Sequence, residues 1–493
     1  MKSWMAQLAS HYHQIQRQYP QDRLMIIFDI DGTILDMRYM ISHLLHSYDR
    51  EKGTSHFSTL DLGEVAVHEN HVERLLADLG IDLQEQIDIL NWYLDYRWTR
   101  EAMLESHRPY SGVLEVIRWF QIQPNTDVGL NTGRPDKLRA ETLQSLNQLG
   151  AAYRAHFTDD LLHMNPGGWE EEVENAKVEG VRYFQQRGYR VFALVDNEPD
   201  NLKAIAEAEP HGEILLLHAD TIFESKRSRL PKQAVQGNHY DITELISEKA
   251  LPSKIQFVWH GVNDDVNLRQ FLASEIHWGE CDIRLDPVSG RLILRHDSFN
   301  VSPLQEDEEW LNLDTVLARL HKHEKRVKLD LKTGGNLIDQ VLGLVERIGF
   351  AASDLWFNGT VEDLNEDGFR KLSQAHPGAI LQCPVDFLVP LVCSAPQKAH
   401  EILDMFATWG INRFSVNWQI EDMRTLFDRM DRWGFEVNIY KVLDLEDFLA
   451  AVLMMPRSIT SDFNFPKWHY YGRGSGEEGE RYEYSMQKVN RNR

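Results

Sequence analysis

Apolar residues in the first 220 positions gather in short runs separated by amphipathic stretches. LMIIFDI (24–30), TDVGLNT (126–132), RVFALVD (190–196) and EILLLHA (213–219) are short apolar runs, the pattern of strands buried on both faces of a parallel sheet. Helical patterns between them predict a doubly wound, Rossmann-like α/β unit. A long helical insert fills roughly 37–108. Within it Ile87, Leu90, Leu94 and Trp98 fall three and four apart, which predicts one apolar helix face. The segment 221–254 loses all periodicity. It leads to DITELI (241–246), read as a last edge element, and then to a linker at LPSK (251–254).

Strand-like runs then resume: QFVWHGV (256–262), ECDIRLD (280–286), RLILRHD (291–297), VKLDLK (327–332), DLWFNG (354–359), AILQCPV (379–385), RFSVNW (413–418), EVNIYKV (436–442) and SITSDF (458–463). Nine runs are one too many for an eight-stranded barrel. ECDIRLD and RLILRHD are separated only by PVSG and read as a local hairpin-like excursion. The remainder predicts a (β/α)8 TIM-type barrel. The expected organisation is an N-terminal extension (1–22), an α/β domain (23–248) with its insert, a barrel (249–470), and a disordered tail (471–493) rich in Gly, Glu and Arg.

Composition narrows the partners. The net charge is −24, which argues against nucleic acid or an anionic membrane as a main partner but leaves small phosphorylated substrates open. No run reaches the roughly 18 apolar residues of a membrane span, and the first 21 residues lack a secretory apolar core. The three cysteines, Cys281, Cys383 and Cys393, are widely spaced. They form neither a disulfide framework nor a zinc pattern, so a cytoplasmic setting is expected.

The candidate chemistry lies at strand ends. FDIDGT places Asp29 and Asp31 two apart, on one face. Paired carboxylates repel unless they share a cation or a proton, and Mg²⁺ suits oxygen ligands beside phosphate. Thr132 and Gly133, in LNTGR, offer a hydroxyl and backbone N–H groups for a phosphate. Asp196 ends the third run, with Asp200 one helical turn on, and Lys177 lies about twenty residues earlier; Lys137 is a rival for its role.

In this order the set resembles the haloacid dehalogenase (HAD) superfamily over roughly residues 24–220. The resemblance implies that Asp29 attacks phosphorus to form an aspartyl-phosphate. Asp31 would protonate the leaving oxygen and then activate water. Thr132 and Lys177 would bind phosphoryl oxygens, Asp196 would hold Mg²⁺ with Asp29 and Asp31, and Asp200 would either assist at the metal or orient Lys177. The insert stands where that family carries its mobile cap. The second Asp of the pair favours phosphatase over dehalogenase chemistry, because a halide leaves without an acid.

In the barrel half, His260, Glu280, Asp282, His296, Asp330 and Lys332 cluster at strand ends. Three carboxylates offer oxygen ligands for Mg²⁺ or Ca²⁺, two histidines an acid and a base, and Lys332 a phosphate contact. Taken singly each has a bland reading: a structural strand-end His, or alternation in a half-buried LDLK strand. His321 and His323 read as a solvated helix end. Together the order resembles the glycerophosphodiester phosphodiesterase and phospholipase barrels over about 255–466. The nearer likeness is to the menorin family, through Trp259, His260, Asn263, KLDLK and LWFN. The match implies Glu280, Asp282 and Asp330 as metal ligands and His260 and His296 as acid and base. Lys332, Asn358 and Asn417 would line the phosphate. The phosphodiesterases carry His-Arg-Gly here, whereas Gly261 follows His260 with no Arg between them. A register slide to Arg284 and Asp286 is the alternative for the metal pair. The whole predicts a Mg²⁺-dependent phosphatase joined to a phosphodiesterase-like barrel, the alternative being a phosphatase joined to a non-catalytic sensor barrel.

Overall fold

The computed structural model describes residues 3–167, 173–210, 212–221, 229–304, 308, 310–463 and 465. The expected tail, 471–493, lies outside them. The chain divides into two compact units, Met1–Ile246 and Ser247–Arg493.

The first unit is built on six parallel strands: β1 (Arg23–Phe28), β2 (Thr126–Pro135), β3 (Leu162–Asn165), β4 (Tyr189–Asp196), β5 (Leu215–Ala219) and β6 (Val235–Gly237), in the order β3-β2-β1-β4-β5-β6. The sheet order reverses beside β1, and ligand sites in doubly wound sheets sit at the carboxyl ends next to such a switch. The four apolar runs became β1, β2, β4 and β5. The edge strands β3 and β6 escaped the sequence because LHMN and VQG are short and lack an apolar run. The edge element expected at 241–246 is instead a helical turn, Ile242–Leu245, capped by Asp241. Ile242, Leu245 and Ile246 are spaced for a helix face and all are buried.

The residues expected to form an N-terminal extension belong to this unit. Helix Trp4–Gln18 buries Trp4, Met5, Leu8, Tyr12 and Ile15, and the Trp4 indole donates to the His239 carbonyl at 2.7 Å. The insert contains helices Met37–Lys52, Val72–Asp78, Leu83–Tyr96 and Arg100–Ser106. Its expected apolar face is corrected: Leu83–Tyr96 packs through Ile89 and Tyr93, while Ile87 and Leu94 are exposed. Tyr93 also donates to the Glu69 carbonyl, an anchor that decides which of two competing stripes turns inward. Trp98 lies beyond the helix end.

The second unit is a closed barrel. Eight parallel strands, β7 (Gln256–Trp259), β8 (Trp278–Leu285), β10 (Arg326–Leu331), β11 (Leu355–Asn358), β12 (Ile380–Pro384), β13 (Arg413–Asn417), β14 (Val437–Val442) and β15 (Ser458–Ser461), pair in that order. β15 returns to β7. The short β9 (Leu292–Leu294) runs antiparallel to β8, which makes the ninth run the expected hairpin. Along β10, Val327, Leu329 and Leu331 alternate with Lys328 and Asp330. Register sets Lys328 beside Glu280 and Asp330 beside Asp282, so the polar residues stack in layers inside the barrel. No helix among the described residues is long and apolar enough to cross a membrane.

Candidate functional site

The carboxyl ends of β1, β2 and β4 meet in a pocket of about 510 Å³ lined by Asp29, Asp31, Thr132, Gly133, Lys177 and Asp200, among others. Gly32 makes the turn after β1 with a φ of +75° and donates to the Leu35 carbonyl, a conformation glycine adopts without steric cost. Lys177 comes from helix Val173–Gln186. Its ammonium donates to Asp29 Oδ1 at 2.5 Å, Asp196 Oδ2 at 2.8 Å and the Asn131 carbonyl at 2.7 Å. The helix approaches this closely because a Cβ on Gly180 would lie only 2.2 Å from Asn131 Oδ1. The rival Lys137 is exposed in the turn Asp136–Leu138. Asp196, not Asp200, orients the lysine.

Two features were missed in the sequence. Arg134, almost fully buried, grips both oxygens of Asp31 at 2.7 and 2.6 Å and lies over the Trp98 ring. Burial pushes the Asp31 carboxyl up, but the Arg134 charge and hydrogen bonds outweigh it and hold Asp31 below its usual range. Arg134 thus engages both oxygens of the Asp31 side chain, as Lys177, Asn201 and the Glu198 N–H engage both oxygens of Asp196. The signal was present in the sequence as Arg134 beside Thr132 and Gly133. The second feature is the insert's own contribution: His68, Glu69, Asn70, Arg97 and Trp98 line the same pocket. Arg97 donates to the Glu69 carbonyl and to Asn70 Oδ1, and His68 Nε2 lies 3.7 Å from Glu198 Oε1.

The donor set fits magnesium. Burial, opposed by Lys177 and reinforced by Asp196 and Asp31, pushes the Asp29 carboxyl up to about 8. One ammonium therefore undercompensates this carboxylate cluster, and a divalent cation would restore the charged form. Among the described residues no three His, Cys, Asp or Glu side chains form a metal cluster. Mg²⁺ keeps several waters and takes one or two carboxylates, a demand that Asp29 and Asp196 meet.

The second pocket, about 230 Å³, lies in the barrel and is lined by His260, Glu280, Asp282, His296, Asp330, Lys332 and Asn358, with others. His260 Nδ1 lies 2.8 Å from Asp462 Oδ1 and His296 Nδ1 lies 2.9 Å from Asp297 Oδ1. Each carboxylate orients its ring. Burial lowers the His260 pKa, but the Asp462 hydrogen bond and charge outweigh it and raise it to about 9. Asp462 was quoted in SITSDF but given no role.

The three expected metal carboxylates are otherwise engaged. Lys332 bridges Asp282 Oδ1 (2.7 Å) and Asp330 Oδ2 (2.5 Å). Asn263 holds Asp282 Oδ2 and Asn358 holds Asp330 Oδ1. Lys328, also unread in the sequence, pairs with Glu280 Oε1 at 3.1 Å. Only Glu280 Oε2, buried and without a hydrogen-bond partner, remains as an acceptor in the set. As arranged, each of the three carboxylates pairs with a lysine ammonium group. Lys332 thus bridges two carboxylates, as Lys177 bridges Asp29 and Asp196 in the first unit. The register alternative fails: Arg284 donates to the His296 carbonyl, and Asp286 caps the exposed turn at Val288. Asn417 is not in the pocket. Its N–H donates to Asp386 and its side chain accepts from Gln419 N.

No protein-family model matches the sequence, and no curated protein matches it. Among solved structures, the chain is similar to a phosphodiesterase of Oleispira antarctica in complex with the product sn-glycerol-3-phosphate, at 16% identity and a TM-score of 0.32, over 44% of this chain and 94% of that one. It is similar to a glycerophosphodiester phosphodiesterase of Agrobacterium tumefaciens at 14% identity and 0.28, over 42% and 96%. It is also similar to a HAD-superfamily hydrolase of Geobacter sulfurreducens at 14% identity and 0.32, over 45% and 96%.

Proposed function

We propose that the chain is a hydrolase of phosphate esters, with a Mg²⁺-dependent phosphomonoesterase in the first unit. The observation that carries this reading is the buried Asp29–Lys177–Asp196 group at the strand ends. Asp29 is the nucleophile and takes the phosphoryl group as an aspartyl-phosphate. Thr132, Gly133 and Lys177 bind the phosphoryl oxygens. Asp31 gives a proton to the leaving oxygen and takes one from water. Bound Mg²⁺, held by Asp29 and Asp196 with Asp200 nearby, supplies charge neutralisation. The insert closes over the substrate and admits only certain leaving groups. Release of phosphate from a panel of phosphomonoesters by the full chain tests the reading; no turnover of any member, with Mg²⁺ present, would refute it.

A second reading concerns the barrel and rests on its two carboxylate-oriented histidines. It is a phosphodiesterase in which His260, as imidazolium, protonates the leaving oxygen and His296 acts as base. Its product would be a phosphomonoester, the substrate class of the first unit. The alternative is a ligand-binding barrel without chemistry. Asp330→Ala is expected to lower hydrolysis of bis(p-nitrophenyl) phosphate at least about 100-fold and to leave p-nitrophenyl phosphate turnover unchanged. Binding of inorganic phosphate without any diester turnover by the parent chain would favour the sensor alternative.

The acid role of His260 has a pH signature. Activity through an acid is lost as pH rises through its pKa, so the alkaline limb of diester kcat/KM belongs near pH 9. Asp462→Asn is expected to move that limb down by roughly 2 pH units, toward the free histidine value. An unmoved limb would remove His260 from the acid role.

A further inference from the structure

The pairing of β14 with β15 slips once. Asn438 opposes Ser458 and Ile439 opposes Ile459, but the next pair is Val442 with Ser461. Tyr440 and Lys441 therefore stand against Thr460 alone, a β-bulge. Lys441 takes a φ of +59° there, a left-handed conformation costly for a lysine. In a regular strand, neighbouring side chains point to opposite faces, and only one of the two would reach the interior. Here both Tyr440 and Lys441 line the barrel pocket. The bulge places Lys441 along the pocket at an exposed position, where alternation would have turned it to the other face.

That charge is uncommitted. Of the three pocket lysines, Lys328 pairs with Glu280, and Lys332 with Asp282 and Asp330. Lys441 has no ion pair or side-chain hydrogen bond among the described residues. Tyr440 beside it is fixed by donating to Asp386. Position also separates the two free roles. β10, which leads into Lys332, and β14 are four strands apart in either direction round an eight-stranded ring, so they face one another across the pocket. The other acidic lining residue, Asp363, follows β11 and accepts from Thr360.

We propose that Lys441 is a specificity-determining residue of the barrel: it binds an anionic group, a carboxylate or second phosphate, on the organic substituent of a phosphodiester whose phosphoryl group lies at the His260–Asp330 wall. This rests on the phosphodiesterase reading of the barrel. The ligand spans the pocket, with its phosphoryl end among the histidines and its second anion on the bulge. A strained lysine is retained at this position because a glycine, which the backbone would prefer, offers no charge.

The test uses the full chain and two isosteric p-nitrophenyl phosphodiesters, one of glycolate and one of glycolamide, so that the substituents differ only in a carboxylate against a carboxamide. The parent is expected to prefer the glycolate ester about tenfold in kcat/KM, the worth of one charge-assisted hydrogen bond, and to do so through KM. Lys441→Met removes the charge at constant length. Lys441→Gly removes the side chain and relaxes the backbone, so its result does not depend on a strained fold. Both are expected to abolish the preference while keeping kcat, and turnover of the glycolamide ester, within about twofold; Lys441→Arg is expected to keep it. Equal use of both esters by the parent, or a preference that survives in the Met and Gly variants, overturns the assignment of Lys441 alone. Failure of the parent to cleave either ester overturns it through the diesterase reading beneath it.

Discussion

Asp29→Asn is expected to lower release of phosphate from p-nitrophenyl phosphate by at least about 10⁴-fold, because an amide of the same shape has no charged oxygen to attack phosphorus. His260→Ala, in the other unit, is expected to leave that rate within about twofold. The fold should survive the first change: Lys177 keeps Asp196 and the Asn131 carbonyl as acceptors, and no volume is lost. Circular dichroism and thermal unfolding separate loss of chemistry from loss of structure. Normal phosphate release by Asp29→Asn would show that the nucleophile lies elsewhere.

The second large effect is expected from Lys177→Met. Asp29 and Asp196 are both buried, and the ammonium between them is 2 % exposed. Removing one member of a buried ion pair costs about 3–5 kcal/mol, since the remaining charge loses its compensation. Part of that loss is relieved if Asp29 takes a proton, and burial already pushes its carboxyl up to about 8 with Lys177 in place. A carboxyl raised in the folded state binds the extra proton only when folded. Its stabilising effect is fullest at low pH and is lost as pH rises toward the folded value. Because Asp29 of the parent already holds that proton up to about pH 8, the deficit in Lys177→Met should stay level from pH 5 to pH 8 and widen only above it in denaturant unfolding. Turnover should fall about 10³-fold as well, because the ammonium that holds Asp29 and Asp196 and would meet the phosphoryl oxygens is gone. A variant with parental stability and rate would mean that Lys177 is not the counter-ion of this pair.

The legible part of the molecule was whatever a strand end concentrates. Buried parallel strands read as apolar runs, so β1, β2, β4, β5 and all nine barrel runs stood out, and the residues just past them were available as candidates. Elements held by context were not: β3 and β6 gain their stability from the sheet beside them, and the helical turn at Ile242–Leu245 was concealed by a pattern too short to separate periods of 2 and 3.6. Among site residues, those lost were the partners. Asp462 acts by gripping a residue far away in sequence, and nothing local announces the grip; Arg134 and Asn263 stood beside named motif residues, but their partners Asp31 and Asp282 lie far away in sequence. Lys328 could have been found, since Lys328, Asp330 and Lys332 alternate onto one face of VKLDLK. Lys441 could not, because strand periodicity places it on the wrong face and only the bulge corrects it. Asn417 erred the other way, a strand-end polar residue that serves its own loop.

The rims of the two sheets have a consequence for the protein in concentrated solution. The six-stranded sheet ends in a four-residue strand on one side and a three-residue strand on the other, and the barrel closes on itself apart from the three-residue β9. Another chain adds to a sheet only where a long row of unpaired backbone groups awaits it. Among the described residues no such row is offered, and a net charge of −24 repels further copies before they meet. Strand-by-strand aggregation is therefore closed off at both units by geometry and opposed at a distance by charge.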